Sequence, residues 1–231
     1  MWQKLKPSRR CFLRKTTVET ILAYGSIWSM GSAFPSLVRA QSPLSPDDAL
    51  KELTDGNRRF AAGRLTSFDH DLTILKQRTV DKQEPFAAVL SCADSRVPVE
   101  LIFDQSIGHI FVVRVAGNIV TPEIIASIEY GVAVLGIRLI LVMGHANCGA
   151  VKAALSAKEV PGQISVLYSH LQPAVEQAGQ NLEIATKANV GIQAARLRRS
   201  STVVSGLLKE KKLKVIAAYY DLGSGGVTLL E

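Results

Sequence analysis

Four short apolar runs, separated by stretches of helical periodicity, constrain this chain more than any other feature. They are Phe86–Leu90, Ile110–Val115, Leu139–Met143 and Leu213–Tyr220. Each is dominated by Val, Ile, Leu, Ala or aromatic residues, and each is short. Such runs read as strands buried on both faces. Between them, Pro98–Phe103 has room for one or two helical turns. Pro122 opens a helix that reaches Leu135, with Ile124, Ile125, Ile128 and Val132 as its inner stripe. A further helix starts near Cys148 and runs to about Ala157. Residues 163–209 read as two or more helices, interrupted at Gly179 and around Gly191.

Strands that alternate with helices predict a parallel sheet covered on both faces. Gly223-Ser224-Gly225-Gly226 is a turn, after which Val227–Leu230 can return as an antiparallel edge strand. Ahead of the first strand, Ser45-Pro46-Asp47-Asp48 is a helix start: a capping Ser, Pro at the first helical position, acids in the first turn. Ala49, Leu50, Leu53 and Phe60 follow at helical spacing, and Gly63 ends the run. A polar connection with a short helix leads from there to Pro85. The expected fold is α/β: a mostly parallel four-stranded sheet with a fifth antiparallel edge strand, helices on both faces and an N-terminal helical arm.

Charge is unevenly distributed. The chain of 231 residues carries a formal +7, but residues 1–40 hold seven Lys/Arg against one acid, and the remainder holds twenty against nineteen. A basic footprint for nucleic acid belongs on the folded domain, so nucleic acid is not an expected partner. The basic segment is instead a leader. Ser8-Arg9-Arg10-Cys11-Phe12-Leu13-Arg14 resembles the twin-arginine export motif. A mildly apolar stretch follows from Ile21 to about Val38, broken by Gly25, Gly31 and Pro35 and too weakly apolar for a spanning helix. Val38-Arg39-Ala40 offers a cleavage site ahead of Gln41. The expected organisation is a cleaved signal peptide over 1–40, recognised by the twin-arginine export machinery, and one mature domain over 41–231. The destination is the periplasm or, in a photosynthetic cell, the thylakoid lumen.

With Cys11 in the leader, the mature chain keeps Cys92 and Cys148. Exported proteins often pair their cysteines, but these two stand beside Asp94 and His145, which a disulfide does not need. Cys92-Ala93-Asp94-Ser95-Arg96 follows the first strand and His145-Ala146-Asn147-Cys148-Gly149 follows the third. Open α/β sheets bind ligands beyond the carboxyl ends of strands where strand order reverses. If the two strands are neighbours, two thiols, an imidazole and a carboxylate meet there. Zinc accepts these four donors in a tetrahedron. A closed site is structural and an open one catalytic, and the spacing leaves both possible. The helix start at Cys148 favours thiolate there, and Gly149 lets a ligand approach the backbone.

The motifs Cys92-Ala-Asp94-Ser-Arg96-Val97-Pro98, Phe111-Val-Val-Arg114 with Ala116-Gly117-Asn118, Ile128-Glu129-Tyr130 and Gly144-His145-x-x-Cys148-Gly149-Ala150-Val151 resemble those of the β-class carbonic anhydrases in identity and in order. The resemblance covers nearly the whole mature chain. It implies one zinc per subunit, bound by Cys92, His145 and Cys148, with Asp94 or a water in the fourth position. It implies reversible hydration of carbon dioxide to bicarbonate and a proton by zinc-hydroxide attack. Asp94, held by Arg96, would orient the hydroxide, and Asp94 on the metal would shut the site. Gln83, nine residues before Cys92, matches a family glutamine that bonds substrate. Phe111 and Tyr130 match aromatics that narrow the cleft and face the zinc of the other subunit, so a homodimer or a higher multiple of dimers is implied.

Val115 and Ala146 depart from residues common in the family, Asn and Ser respectively, without touching a ligand. No role falls to His70 or His109. Two other readings keep the fold and the metal: a carbonyl sulfide or carbon disulfide hydrolase, and a non-catalytic zinc- or bicarbonate-binding protein. A thiol redox protein would want a local Cys-x-x-Cys, which Cys148 lacks.

Overall fold

A computed structural model describes residues 43–67, 77 and 79–230. The leader, its cleavage site, His70 and most of the connection ahead of Gln83 lie outside these residues. Among the described residues the elements run α1 (Pro46–Ala61), β1 (Ala87–Ser91), α2 (Val99–Ile102), β2 (Ile110–Arg114), a 3₁₀ turn (Ala116–Asn118), α3 (Pro122–Ala133), β3 (Leu139–His145), α4 (Gly149–Leu155), α5 (Val166–Ala178), α6 (Leu182–Ser200), α7 (Thr202–Lys209), β4 (Lys214–Tyr220) and β5 (Val227–Leu230).

The five strands form one sheet in the order β2-β1-β3-β4-β5. All pairs are parallel except β4–β5, which is antiparallel. Chain order reverses across β1, with β2 on one side and β3 on the other. Ser91, the last residue of β1, pairs with both Arg114 and Met143. Cys92 therefore leaves the sheet level with Gly144, one residue from His145.

Strand residues alternate between two cores, as a period of two requires. Ala88, Leu90, Ile140 and Val142 pack with Ile128, Val132, Val190, Ala194, Leu197 and Val204 from α3, α6 and α7. Ala87, Val89, Leu139, Leu141 and Met143 pack with Ala49, Leu53, Val99 and Ile102 from α1 and α2. The helices cover both faces.

The N-terminal arm docks as its sequence suggests. The Ser45 side chain accepts from Asp48 N at 3.1 Å, and Pro46 opens the helix. Gly56 meets the end of α2 so closely that a Cβ there would lie 1.8 Å from Phe103 O. Asn57 Nδ2 donates to Ile102 O at 3.1 Å and Gly225 O at 2.9 Å, and its Oδ1 accepts from Val227 N at 2.8 Å.

One sequence expectation fails. Gly191 does not interrupt a helix; α6 runs unbroken from Leu182 to Ser200. A helical glycine costs about 1 kcal/mol against alanine. Burial of Val190, Ala194 and Leu197 on the same helix outweighs this. The break falls at Ser201, whose hydroxyl caps α7 by accepting from Val204 N at 3.0 Å.

Asp104 ties the start of the domain together. Its fully enclosed side chain accepts from Arg59 Nε, from Thr66 N and Oγ1 at 2.9 Å, and from Ser67 N and Oγ at 2.9 and 2.7 Å. Burial opposes its ionisation. The Arg59 guanidinium and the Ser67 and Thr66 donors together outweigh burial and hold the carboxyl well below the usual range. A depressed folded pKa contributes stability that is present above the unfolded value and lost as pH falls through the folded one. Asp104→Asn is therefore expected to destabilise the neutral protein by on the order of 3 kcal/mol. It should also flatten the loss of stability below about pH 4, where an unperturbed aspartate titrates. Denaturant unfolding between pH 3 and 7 reads both. A variant with the wild-type stability and pH slope would refute the role.

Candidate metal centre

The turn after β1 is held from three sides. Val97 N closes it onto Asp94 O at 3.1 Å. Arg114, at the end of neighbouring β2, donates Nε to Cys92 O at 3.0 Å and Nη2 to Asp94 O. Gly117 N, in the 3₁₀ turn, donates to Cys92 Sγ at 3.3 Å. At the end of β3, His145 is 1 % exposed. Its Nδ1 lies 2.9 Å from Ala146 O. A carbonyl only accepts, so Nδ1 carries the proton and Nε2 presents a lone pair. That Nε2 is buried without a hydrogen-bond partner. Three residues further on, Cys148 occupies the N-cap position of α4, fully enclosed among Val151, Leu171 and Ala185.

One ligand atom each from Cys92, His145 and Cys148 lies within 4.8 Å of the others. This is the one such metal-ligand group among the described residues. A buried imidazole nitrogen with nothing to accept from, converging with two thiols, fits zinc: soft and borderline donors within reach of one ion, and an imidazole fixed through its other nitrogen.

The two thiols divide their protons unequally. The neighbouring Cys148 thiol lowers Cys92 against the opposing effect of burial, with help from the Gly117 and Asp94 backbone. Cys148 is pushed up by that same bond, then by burial and by the charge on Cys92. The N–H groups of Val151 and Ala150 at the start of α4 lower it, as the helix start predicts, but they are outweighed. The neighbouring thiol and burial oppose ionisation of Cys148, which a bound cation would favour.

Asp94 stands beside this group. Arg96 grips it by a fork, Nε to Oδ1 at 3.0 Å and Nη2 to Oδ2 at 2.8 Å, and the Arg96 backbone N–H adds a bond to Oδ1 at 3.0 Å. Arg96 Nη2 also reaches Asn147 O at 3.3 Å. Asp94 Oδ2 lies 3.8 Å from His145 Nε2. The Arg96 guanidinium holds the Asp94 carboxyl far below the usual carboxylate range despite partial burial. It is an anion at any working pH. Gly149 has open space where a side chain would stand.

Gln83, Phe111 and Tyr130 form a separate group. Phe111 and Tyr130 have ring centroids 6.4 Å apart, tilted by 38°. Gln83 and Tyr130 line a cleft of about 480 Å³ with Thr79, Val80, Asp81, Lys82 and Leu135. No metal-ligating residue lines it. Tyr130 is 48 % exposed.

Sequence reading missed Arg114 as a clamp and Gly117 as a donor to sulfur. Their motif was visible, and the register of β2 against β1 supplies the reason: Arg114 pairs with the residue just before Cys92.

A family model described as carbonic anhydrase matches residues 87–227. A carbonic anhydrase of Mycolicibacterium smegmatis is 37 % identical over 195 residues, covering 80 % of this chain and 93 % of that protein. Carbonic anhydrase 2 of Mycobacterium tuberculosis is 35 % identical over 199 residues, covering 81 % and 94 %. Among solved structures, the β-carbonic anhydrase CafA of Aspergillus fumigatus superposes with a TM-score of 0.65 at 27 % identity, covering 80 % of this chain and 90 % of that one.

Proposed function

The chain belongs to the carbonic anhydrase family, and on that basis we propose that it hydrates carbon dioxide to bicarbonate and a proton, reversibly, with one zinc per subunit. One observation carries this reading: Cys92, His145 and Cys148 converge with the buried His145 Nε2 unpartnered, and the Asp94–Arg96 fork stands beside them. Zinc, when bound, acidifies water and so supplies a nucleophile near neutral pH.

The chain's own residues do the rest. Cys92, Cys148 and His145 Nε2 would hold the metal. Arg96 takes both Asp94 oxygens, so the carboxylate can accept a hydrogen bond from the reacting water and aim its lone pair at the carbon of the substrate. The same pair would act as a gate: Asp94 freed from Arg96 could bind the metal itself and keep water off it. Because Asp94 stays ionised, its position and not its protonation sets the gate.

Gln83, Phe111 and Tyr130 lie at the β2 edge, apart from their own subunit's metal ligands. In this reading they wall the site of a neighbouring copy, and the enzyme is a homodimer or a multiple of dimers. Arg9 and Arg10 direct export through the twin-arginine route. Cleavage after Ala40 then releases residues 41–231 into the periplasm, or into the thylakoid lumen of a photosynthetic cell. Replacing both arginines by lysine is expected to stop translocation; continued export would overturn that part.

Stopped-flow hydration of carbon dioxide by the zinc-loaded protein, across pH and across a dilution series, tests the enzyme. Turnover at some pH is expected, with specific activity falling as subunits dissociate. No hydration at any pH would end the reading. Full activity in a monomeric population would end its shared-cleft part.

A further inference from the structure

Cys92 accepts a hydrogen bond from Gly117 N at 3.3 Å. That bond depends on how the 116–120 segment is held. Gly117 sits at φ 73, a left-handed conformation that glycine adopts without strain. A Cβ there would also crowd Leu171 at 3.2 Å and Ala150 at 3.4 Å.

The far side of the segment meets α6. Gly117 O accepts from Asn189 Nδ2 at 2.8 Å. Asn189 Oδ1 accepts from Gln193 Nε2 at 3.0 Å. Gln193 Nε2 also donates to His170 O at 3.2 Å, and Gln193 Oε1 accepts from Val120 N at 2.8 Å. Asn189 and Gln193 are both 0 % exposed. They lie one turn apart on the helix, among Val190, Ala194 and Leu197, which pack into the apolar core.

Two enclosed primary amides are an expensive way to fill core volume. An unpaired amide costs free energy, and apolar residues of like shape would pack as well. Here the amide groups bond backbone groups on either side of the turn: the carbonyl of residue 117 and the N–H of residue 120. Together they hold the turn from residue 117 to residue 120, and with it the Cα of Gly117, whose own N–H faces sulfur.

We propose that Asn189 and Gln193 are positioning residues that set the Gly117 N–H on the Cys92 sulfur and so limit the charge this thiolate gives the metal. The inference rests on Cys92 being a metal ligand. A thiolate that accepts an N–H bond is a weaker donor, so the metal remains more electron-poor. Two thiolates would otherwise make this centre less acidifying than one held by histidines, and hydrogen bonds donated to the ligand atoms are a known means of correcting such a balance.

The test uses cobalt in place of zinc, read through the thiolate-to-cobalt charge-transfer bands. Asn189→Leu and Gln193→Met each remove the hold on the turn. In both, the thiolate gives the metal more charge, and the bands are expected to move to longer wavelength. Val204→Ala, in the same core but touching none of these bonds, serves as the destabilised control, and its bands should match the wild type. Asn189→Ser replaces Asn189→Leu if that variant does not fold. A wild-type protein without thiolate-to-cobalt bands would remove the metal reading itself. Wild-type bands that Asn189 and Gln193 variants share unchanged would overturn this inference alone.

Discussion

Cys148→Ser loses zinc and hydration together. Metal content should fall from one per subunit to a small fraction, and turnover by on the order of a thousandfold or more, since no acidified water remains. The reason lies in the enclosure of Cys148, which is 0 % exposed and whose thiol is pushed up by its bond to Cys92, by burial and by the Cys92 charge. Only a cation draws off that proton, and a serine hydroxyl would not give up its own. The fold should survive, because the change is nearly isosteric and a buried hydroxyl without a partner costs about 1–3 kcal/mol. The same physics gives a pH dependence. Zinc must displace the Cys148 proton, so affinity rises with pH. Atomic emission for zinc, circular dichroism for the fold and stopped-flow for turnover separate these effects. A folded Cys148→Ser that keeps stoichiometric zinc and wild-type turnover would falsify the ligand set.

The second large effect comes from the fork. Asp94→Asn should keep zinc and lose turnover by roughly 10²- to 10⁴-fold, the range of a lost general acid–base group. An amide keeps the shape but offers one acceptor oxygen and no charge. Arg96→Ala is expected to lose as much by a different route. Asp94 Oδ2 stands 3.8 Å from His145 Nε2, and Arg96 holds both carboxylate oxygens through its side chain. Without Arg96 the anion would be free to turn to the bound metal and close it. The double variant should therefore be no worse than either single one, because residues that act as a unit are not additive. Additive losses would mean that the two residues work separately.

Much of this was legible in the residues. Continuous apolar runs such as Leu139–Met143 mark strands buried on both faces. The four-residue span from His145 to Cys148 leaves few geometries, so placing it beside Cys92 needs only that β1 and β3 be neighbours. Helix boundaries were less legible where packing overrides propensity. Gly191 reads as a break, yet Val190 and Ala194 bury on either side of it and carry α6 through. Contacts formed across the chain were not legible at all. Nothing in the spacing of Asn189 and Gln193 points to Gly117, which lies 72 residues from the amide it bonds. Nor does a motif reveal how far each thiol resists ionisation, because that depends on the neighbouring thiol and on burial.

Asn57 has a consequence for how the chain reaches this state. Its bonds to Gly225 and Val227 span 168 and 170 residues. An early helix is thereby fastened to the last hairpin. On the ribosome, α1 has no hairpin to receive it until synthesis is nearly complete, and contacts of such long sequence separation form slowly. Docking of the N-terminal arm is therefore a late step, which waits for the last residues of the chain to emerge.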